Sequence, residues 1–275
     1  MWIRDPFAES ADPCPLFSWQ MGAVLHRDGS GEDELLLLAE TDGFCLTFLN
    51  MEARIDAEAR GADVRFDRPC AAMLPEAYHR ARVLFPIMRL LRGHLAFHAS
   101  CVSLAGKAIL FMAPSGVGKT TAAAALVGHA AAKIMADDIA IVSREASGYD
   151  AWPCSAAFAM RHRLLDHLPV FGSSVSCGIK RMLPVLSGQV ETARVPISCV
   201  VFLMPGQSEM RPLPLMERPK RFLSQQFILS DMPAPLRRNL FAACTAFMSQ
   251  IPAFELGMDG STSLSLRQFS AKFSS

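Results

Sequence analysis

Apolar positions along this chain fall mostly in short runs of strand length, separated by turn-forming residues. Residues 23–26 and 35–38 flank Asp28, Gly29, Ser30 and Gly31, which predicts a hairpin or two neighbouring strands. Residues 44–49 and 63–66 add two further short strands. No catalytic signature occurs in residues 1–74, so a small β-rich portion for packing or partner binding is expected there. Residues 75–93 read as a helix, with Pro75 at its start, Gly93 past its end and apolar residues recurring between them. Pro86 should kink that helix. Its arginines, Arg80, Arg82, Arg89 and Arg92, are expected on a solvated face.

From residue 95 the pattern changes to strands alternating with helices. Residues 95–104 read as one strand, turned through Ala105 and Gly106 into a second apolar run at 107–112. An alanine-rich helix follows from about Lys119. Residues 133–142 form an apolar strand interrupted by Asp137 and Asp138. Residues 195–203 predict another core strand, 217–230 and 231–250 two helices, and 254–258 a last strand before a frayed serine-rich tail. Pro219 falls in the first turn of the earlier helix, and Asp231 caps the later one ahead of Pro233. Strands alternating with helices mark an α/β domain over 75–275.

Between the second strand and the alanine-rich helix lie Ala113, Pro114, Ser115, Gly116, Val117, Gly118, Lys119, Thr120 and Thr121. This is the spacing of a phosphate-binding loop, with Ala at the first position where Gly is commoner. Gly116 and Gly118 allow the main chain to approach a phosphate closely, and the helix start adds backbone N–H donors. Lys119 would reach the β- and γ-phosphates of ATP, and the Thr120 hydroxyl would bind Mg2+.

Two carboxylates in the middle of an apolar strand need cations, because buried charge is costly when unpaired. Mg2+ and Lys119 can supply them. Successive strand side chains point to opposite faces. Asp137 and Asp138 can therefore both serve one site only if the strand bends or bulges. His98 lies one strand away; a lone strand histidine is ordinarily structural.

Composition narrows the partners. Hydrophobic residues make up 51% and charged ones 19%, which implies a sizeable core. The net charge is +1 with no block of one sign, which argues against nucleic acid as partner. No apolar run is long enough to cross a bilayer, and no signal peptide opens the chain, so no membrane is expected. The eight cysteines are scattered singly, without Cys-x-x-Cys pairs, as in reduced, buried thiols of a cytoplasmic protein. Assembly into a homo-oligomer stays open.

The combination of Phe97-His98-Ala99, the loop through Thr121 and the closely following Ala136-Asp137-Asp138 resembles the HPr kinase/phosphorylase family. That family shares its core with ATP-dependent phosphoenolpyruvate carboxykinases, whose Gly-Lys-Thr-Thr ending this loop also resembles. The likeness covers roughly residues 95–142. It implies a P-loop kinase core of the HPr kinase/phosphoenolpyruvate carboxykinase type, preceded by the β-rich portion. It further implies Asp137 as the base, Asp138 and Thr120 as magnesium ligands, and His98 as a further catalytic candidate. The two aspartates can exchange roles.

Lys180 and Arg181, before the strand at 195–203, resemble a basic pair in HPr-kinase-related proteins and could neutralise charge on a transferred phosphoryl group. A solvated basic turn is the other reading. The Glu-x-Arg-Gly-x-Gly signature of true HPr kinases does not occur after Asp138, which argues against phosphorolysis and against HPr as substrate. The expected activity is ATP-dependent phosphorylation of a hydroxyl, a serine on a protein or peptide. An ATP-binding regulatory module without transfer, or a small-molecule kinase, is the alternative.

Overall fold

The structure, a computed structural model, describes residues 16–20, 35–48, 51–66, 84–129, 131–155, 157–161, 175–177, 180–206, 209–226 and 234–258. It divides into two compact units, Met1–His94 with Ile228–Leu240, and Leu95–Phe227 with Phe241–Ser275.

The first unit is built on a five-stranded sheet in the order β1-β5-β4-β3-β2. Its strands are β1 (Leu16–Gln20), β2 (Leu35–Glu40), β3 (Gly43–Phe48), β4 (Met51–Asp56) and β5 (Gly61–Phe66). The side-chain period of two is plain in β4 and β5. Ala53, Ile55, Ala62 and Val64 are buried, whereas Arg54, Asp63 and Arg65 are exposed. The strand at 35–40 turns through Thr41 and Asp42 to pair with β3, with Glu40 opposite Gly43. The expected partner at 23–26 lies outside the described residues. A Cβ on Gly43 would collide with the Ile55 carbonyl oxygen of the neighbouring strand, so only glycine fits there. Asp56 accepts bonds from the Arg60 and Gly61 N–H groups at 2.8 and 2.5 Å and so shapes the turn between β4 and β5.

The helix expected over 75–93 is described as α1 (Leu84–Leu91). Pro86 stands third in that segment. Arg89 departs from the expectation of a solvated face. It is buried, and its guanidinium lies over the Phe85 ring, 5.0 Å from the centroid.

The second unit is a mixed α/β fold around a curled nine-stranded sheet. The main path runs β6-β10-β11-β15-β8-β7-β9, and β17 and β16 extend from β15. The strands are β6 (Leu95–Phe97), β7 (Ala99–Leu104), β8 (Lys107–Met112), β9 (Lys133–Ala136), β10 (Ala140–Glu145) and β11 (Gly148–Ala151), followed later by β15 (Val195–Pro205), β16 (Met210–Pro212) and β17 (Ala253–Met258). β8, β15 and β17 are parallel, so their carboxyl ends share one edge. Between β11 and β15, β12 (Ala157–Arg161), β13 (Val175–Cys177) and β14 (Lys180–Pro184) form a small antiparallel sheet of their own.

Two strands expected as continuous are broken. The run 95–104 breaks at His98, and the run 133–142 breaks at residues 137–139. Each run contributes one piece near either end of the sheet order, since β6 pairs with β10 and β7 with β9. The sheet therefore curls until the two breaks lie side by side.

Helix α2 (Lys119–His129) packs on one face of the sheet, against β7, β8 and β9, and also touches β12. Ala122 to Val127 are all buried. A helix enclosed all round needs no polar face, and its small alanines let the strands approach closely. On the other face, α3 (Arg218–Leu223) and α4 (Ala234–Gln250) bring in aromatic rings. The Phe97 and Phe247 rings stack with centroids 5.3 Å apart, and Phe222 sits edge-on to both at 6.2 and 5.7 Å. Such pairs add about 0.5–1.5 kcal/mol each beyond area burial.

Glu255 of β17 is a buried carboxylate on this second face, held by Arg221 Nη2 at 2.7 Å and Arg211 Nη2 at 2.9 Å. Arg218 donates to the Met248 and Ile251 carbonyls and so closes the end of α4.

Candidate functional site

The glycine-containing loop leaves β8 at its carboxyl end and enters α2 at Lys119. Strand, loop and helix thus succeed one another as the sequence predicts. Pro114, Ser115 and Gly116 are exposed, while Ala113 before them is buried. Gly116 and Gly118 have φ of +85° and +121°, angles that strain any residue with a Cβ. At Gly116 an added Cβ would meet nothing within 4 Å, whereas at Gly118 it would come within 3.3 Å of Met258 Cε. The Gly118 carbonyl accepts the Ala122 N–H at 2.9 Å and starts the helix.

Lys119 is only 7% exposed. Its Nζ folds back over the loop and donates to the carbonyls of Ala113 at 2.7 Å and Pro114 at 3.4 Å. Val117 is half-buried against the core that α2 completes. Thr121 is half-buried one residue beyond Thr120.

Thr120 Oγ1 donates to Asp137 Oδ1 at 2.8 Å, although the two residues are 17 apart in sequence. Asp137 is buried and accepts a second bond on the same oxygen, from Ser100 Oγ at 2.8 Å. Asp138 faces elsewhere. Its backbone is left-handed, with φ of +79°, and its Oδ1 lies 3.4 Å from His98 Nε2. Both of those side chains are partly open to solvent, at 38% for His98 and 47% for Asp138. The His98 N–H donates to the Gln225 carbonyl at 2.7 Å, which fixes the corner from the side of α3.

Strand alternation allows joint service by two successive aspartates only where the strand bends or bulges. Two local irregularities mark this stretch, and the two carboxylates still point different ways. The pairing of β7 with β9 shifts register between Cys101 opposite Ala136 and Val102 opposite Ile134, which makes Met135 an extra residue. The strand then ends at Ala136, and Asp138 turns through its left-handed conformation. Asp137 goes inward to Thr120, and Asp138 goes outward to His98.

Lys180 and Arg181 lie in β14 of the small sheet, opposite Arg161 and Met160 of β12. They stand in a strand rather than a turn, and their side chains lie outside the described part of the structure. Ser100 is the site residue that sequence reasoning missed. Its signal was a serine two positions after His98 in a run whose other polar residue besides His98 is Ser103. Next to it, burial pushes the Cys101 thiol up, with the neighbouring Cys154 and Cys199 adding to the effect.

The donors gathered here are hydroxyl and carboxylate oxygens, the chemistry of a hard cation such as Mg2+. Among the described residues no group of three or more His, Cys, Asp or Glu side chains converges.

Residues 77–177 match the family described as SynChlorMet cassette protein ScmC, a stretch well under half of the chain. Among solved structures, the chain is similar to the Hpr(Ser) kinase/phosphatase from Coxiella burnetii, with 12% identity and a TM-score of 0.37. That likeness covers 66% of this chain and 99% of the other. No curated protein matches the chain.

Proposed function

We propose that this chain is an ATP-dependent phosphotransferase that moves the γ-phosphoryl group to a hydroxyl, a serine on a protein or peptide. The observation that carries the reading is the 2.8 Å bond between Thr120, at the start of the helix behind the loop, and Asp137, at the end of a separate strand. A loop hydroxyl bonded to a strand-end carboxylate is the pair that holds Mg2+ in P-loop enzymes.

Sequence placed the base at Asp137 and the metal at Asp138; we assign them the other way round. Asp137 is buried on Thr120, a setting for a cation ligand. Asp138 is open to solvent beside His98, a setting for a group that must meet an acceptor. ATP with its magnesium supplies the transferable phosphoryl group and the charge that neutralises it. The exposed loop amides at Ser115 and Gly116, the amides entering α2 and the Lys119 ammonium hold the phosphates. Lys119 would exchange its bonds to Ala113 and Pro114 for phosphate oxygens. Asp138 takes the acceptor's hydroxyl proton on a carboxylate oxygen, and His98 Nε2 orients that carboxylate. Lys180 and Arg181 are kept as candidates for countering charge on the transferred group.

The test is incubation with γ-labelled ATP, a serine peptide library and a metabolite panel. Label on peptide is the expected result. Label confined to a small molecule, or ATP bound without transfer, would replace this reading with a metabolite kinase or a regulatory module respectively.

A further inference from the structure

We propose that Ser100 is a positioning residue that holds the Asp137 carboxylate in the orientation required for binding Mg2+. This rests on the reading above, in which Asp137 and Thr120 hold the ion.

The register explains how Ser100 comes to face Asp137. Phe97 pairs with Ala140, and Cys101 pairs with Ala136. Carrying that antiparallel register across the two breaks sets Ser100 opposite Asp137. Opposed residues of an antiparallel pair share a face, so the short serine side chain reaches the carboxylate directly. The result is the 2.8 Å bond from Ser100 Oγ to Oδ1, with Ser100 itself fully buried.

An aspartate carboxyl turns easily about its last torsion, whose preference is broad and roughly twofold. Something other than the rotamer must therefore fix it. Thr120 also donates to Oδ1, but the Thr120 oxygen is the one offered to the cation. Ser100 is a donor that the cation does not share. It anchors Oδ1 from the sheet side, and its burial keeps water from replacing it. With Oδ1 accepting from both hydroxyls, the Thr120 proton is committed to Asp137 and the lone pairs of its oxygen remain for the ion.

The experiment titrates MgCl2 into the full-length protein with ADP and reads nucleotide binding by calorimetry, beside ADP binding without metal. Partners that orient a metal ligand typically contribute about 10- to 100-fold in metal affinity. Ser100→Ala should raise the half-saturating Mg2+ concentration by about 10-fold or more, with metal-free ADP affinity changed less than about twofold. Ser100→Cys keeps a side chain of similar size with a weaker donor and should fall between the two. Unchanged Mg2+ dependence in Ser100→Ala would overturn the proposal, as would an equal loss of ADP affinity with and without metal. If Ser100→Ala does not fold, Ser100→Cys against wild type decides by the same criterion. Wild-type protein without Mg2+-dependent ADP binding would overturn the parent reading as well, which separates the two failures.

Discussion

Thr120 Oγ1 and Asp137 Oδ1 stand 2.8 Å apart, joining the first turn of α2 to the end of β9. The bond is made where the chain leaves the sheet. One partner follows a loop with two left-handed glycines, and the other precedes a left-handed aspartate. Backbone angles of this kind cost of order 1–3 kcal/mol at a non-glycine residue and persist where the surroundings over-determine them. Asp138 is such a residue, held between the end of β9 and His98.

Replacing Lys119 with Ala should weaken magnesium–ATP binding by about 1.5–3 kcal/mol, the worth of a charge-assisted hydrogen bond. Because Lys119 also ties the carbonyls of Ala113 and Pro114, the nucleotide-free protein should lose stability too. Calorimetric titration and a thermal melt measure the two effects. Unchanged magnesium–ATP affinity would count against phosphate binding by this loop.

The two aspartates should separate under amide substitution. Asp137→Asn should weaken Mg2+–nucleotide binding by about 10- to 100-fold. Asp138→Asn should leave that affinity nearly unchanged and slow transfer by about 10²- to 10⁴-fold, the usual worth of a general base. Steady-state rates beside binding titrations decide it, and the opposite pattern would return the base to Asp137.

Glu255→Gln should destabilise the second unit without touching the loop. Gln cannot accept charge-assisted bonds from Arg221 and Arg211 as a carboxylate does, and such bonds are worth about 1.5–3 kcal/mol. Arg211 is largely exposed, so most of the loss should come from Arg221. Urea unfolding measures it; a change below about 0.5 kcal/mol, the range of ordinary surface substitutions, would show the pair to be energetically idle.

Cys199 and Cys244 should resist thiol reagents in the folded protein at pH 8. Burial pushes both thiols up to about 12 from 9.0, so the reactive thiolate is scarce. The sign of the linked effect follows. Above pH 9 the unfolded chain releases these protons while the folded chain keeps them, so unfolding is favoured as pH rises from 9 towards 12. Their contribution to stability is complete below pH 9. Urea midpoints measured across that range should fall, and Cys199→Ala should make the fall shallower.

Purified phospho-HPr offered with millimolar inorganic phosphate should release no appreciable pyrophosphate, and HPr with ATP should be a poor acceptor. The basis is the missing Glu-x-Arg-Gly-x-Gly stretch after Asp138. Rapid pyrophosphate release would restore the reverse reaction.

Local pattern was enough for the parts that depend on neighbours in sequence. The apolar run at 107–112, the glycines at 116 and 118 and the alanines after Thr121 dictate strand, loop and helix from their own backbone preferences. The carboxylates at 137 and 138 announced themselves as charges in an apolar run. Strand β4 went unread because Glu52, Arg54 and Asp56 break its apolar pattern, and these residues belong to the less buried face of a half-covered sheet. What only the tertiary structure decided is register. An extra residue at Met135 and the breaks at His98 and at residues 137–139 set Ser100 on Asp137 and His98 on Asp138. Those pairings depend on how segments about forty residues apart slide past each other within the curled sheet. Side-chain periodicity along one strand tells which face is buried; it carries no information about which residue of a distant strand will lie opposite.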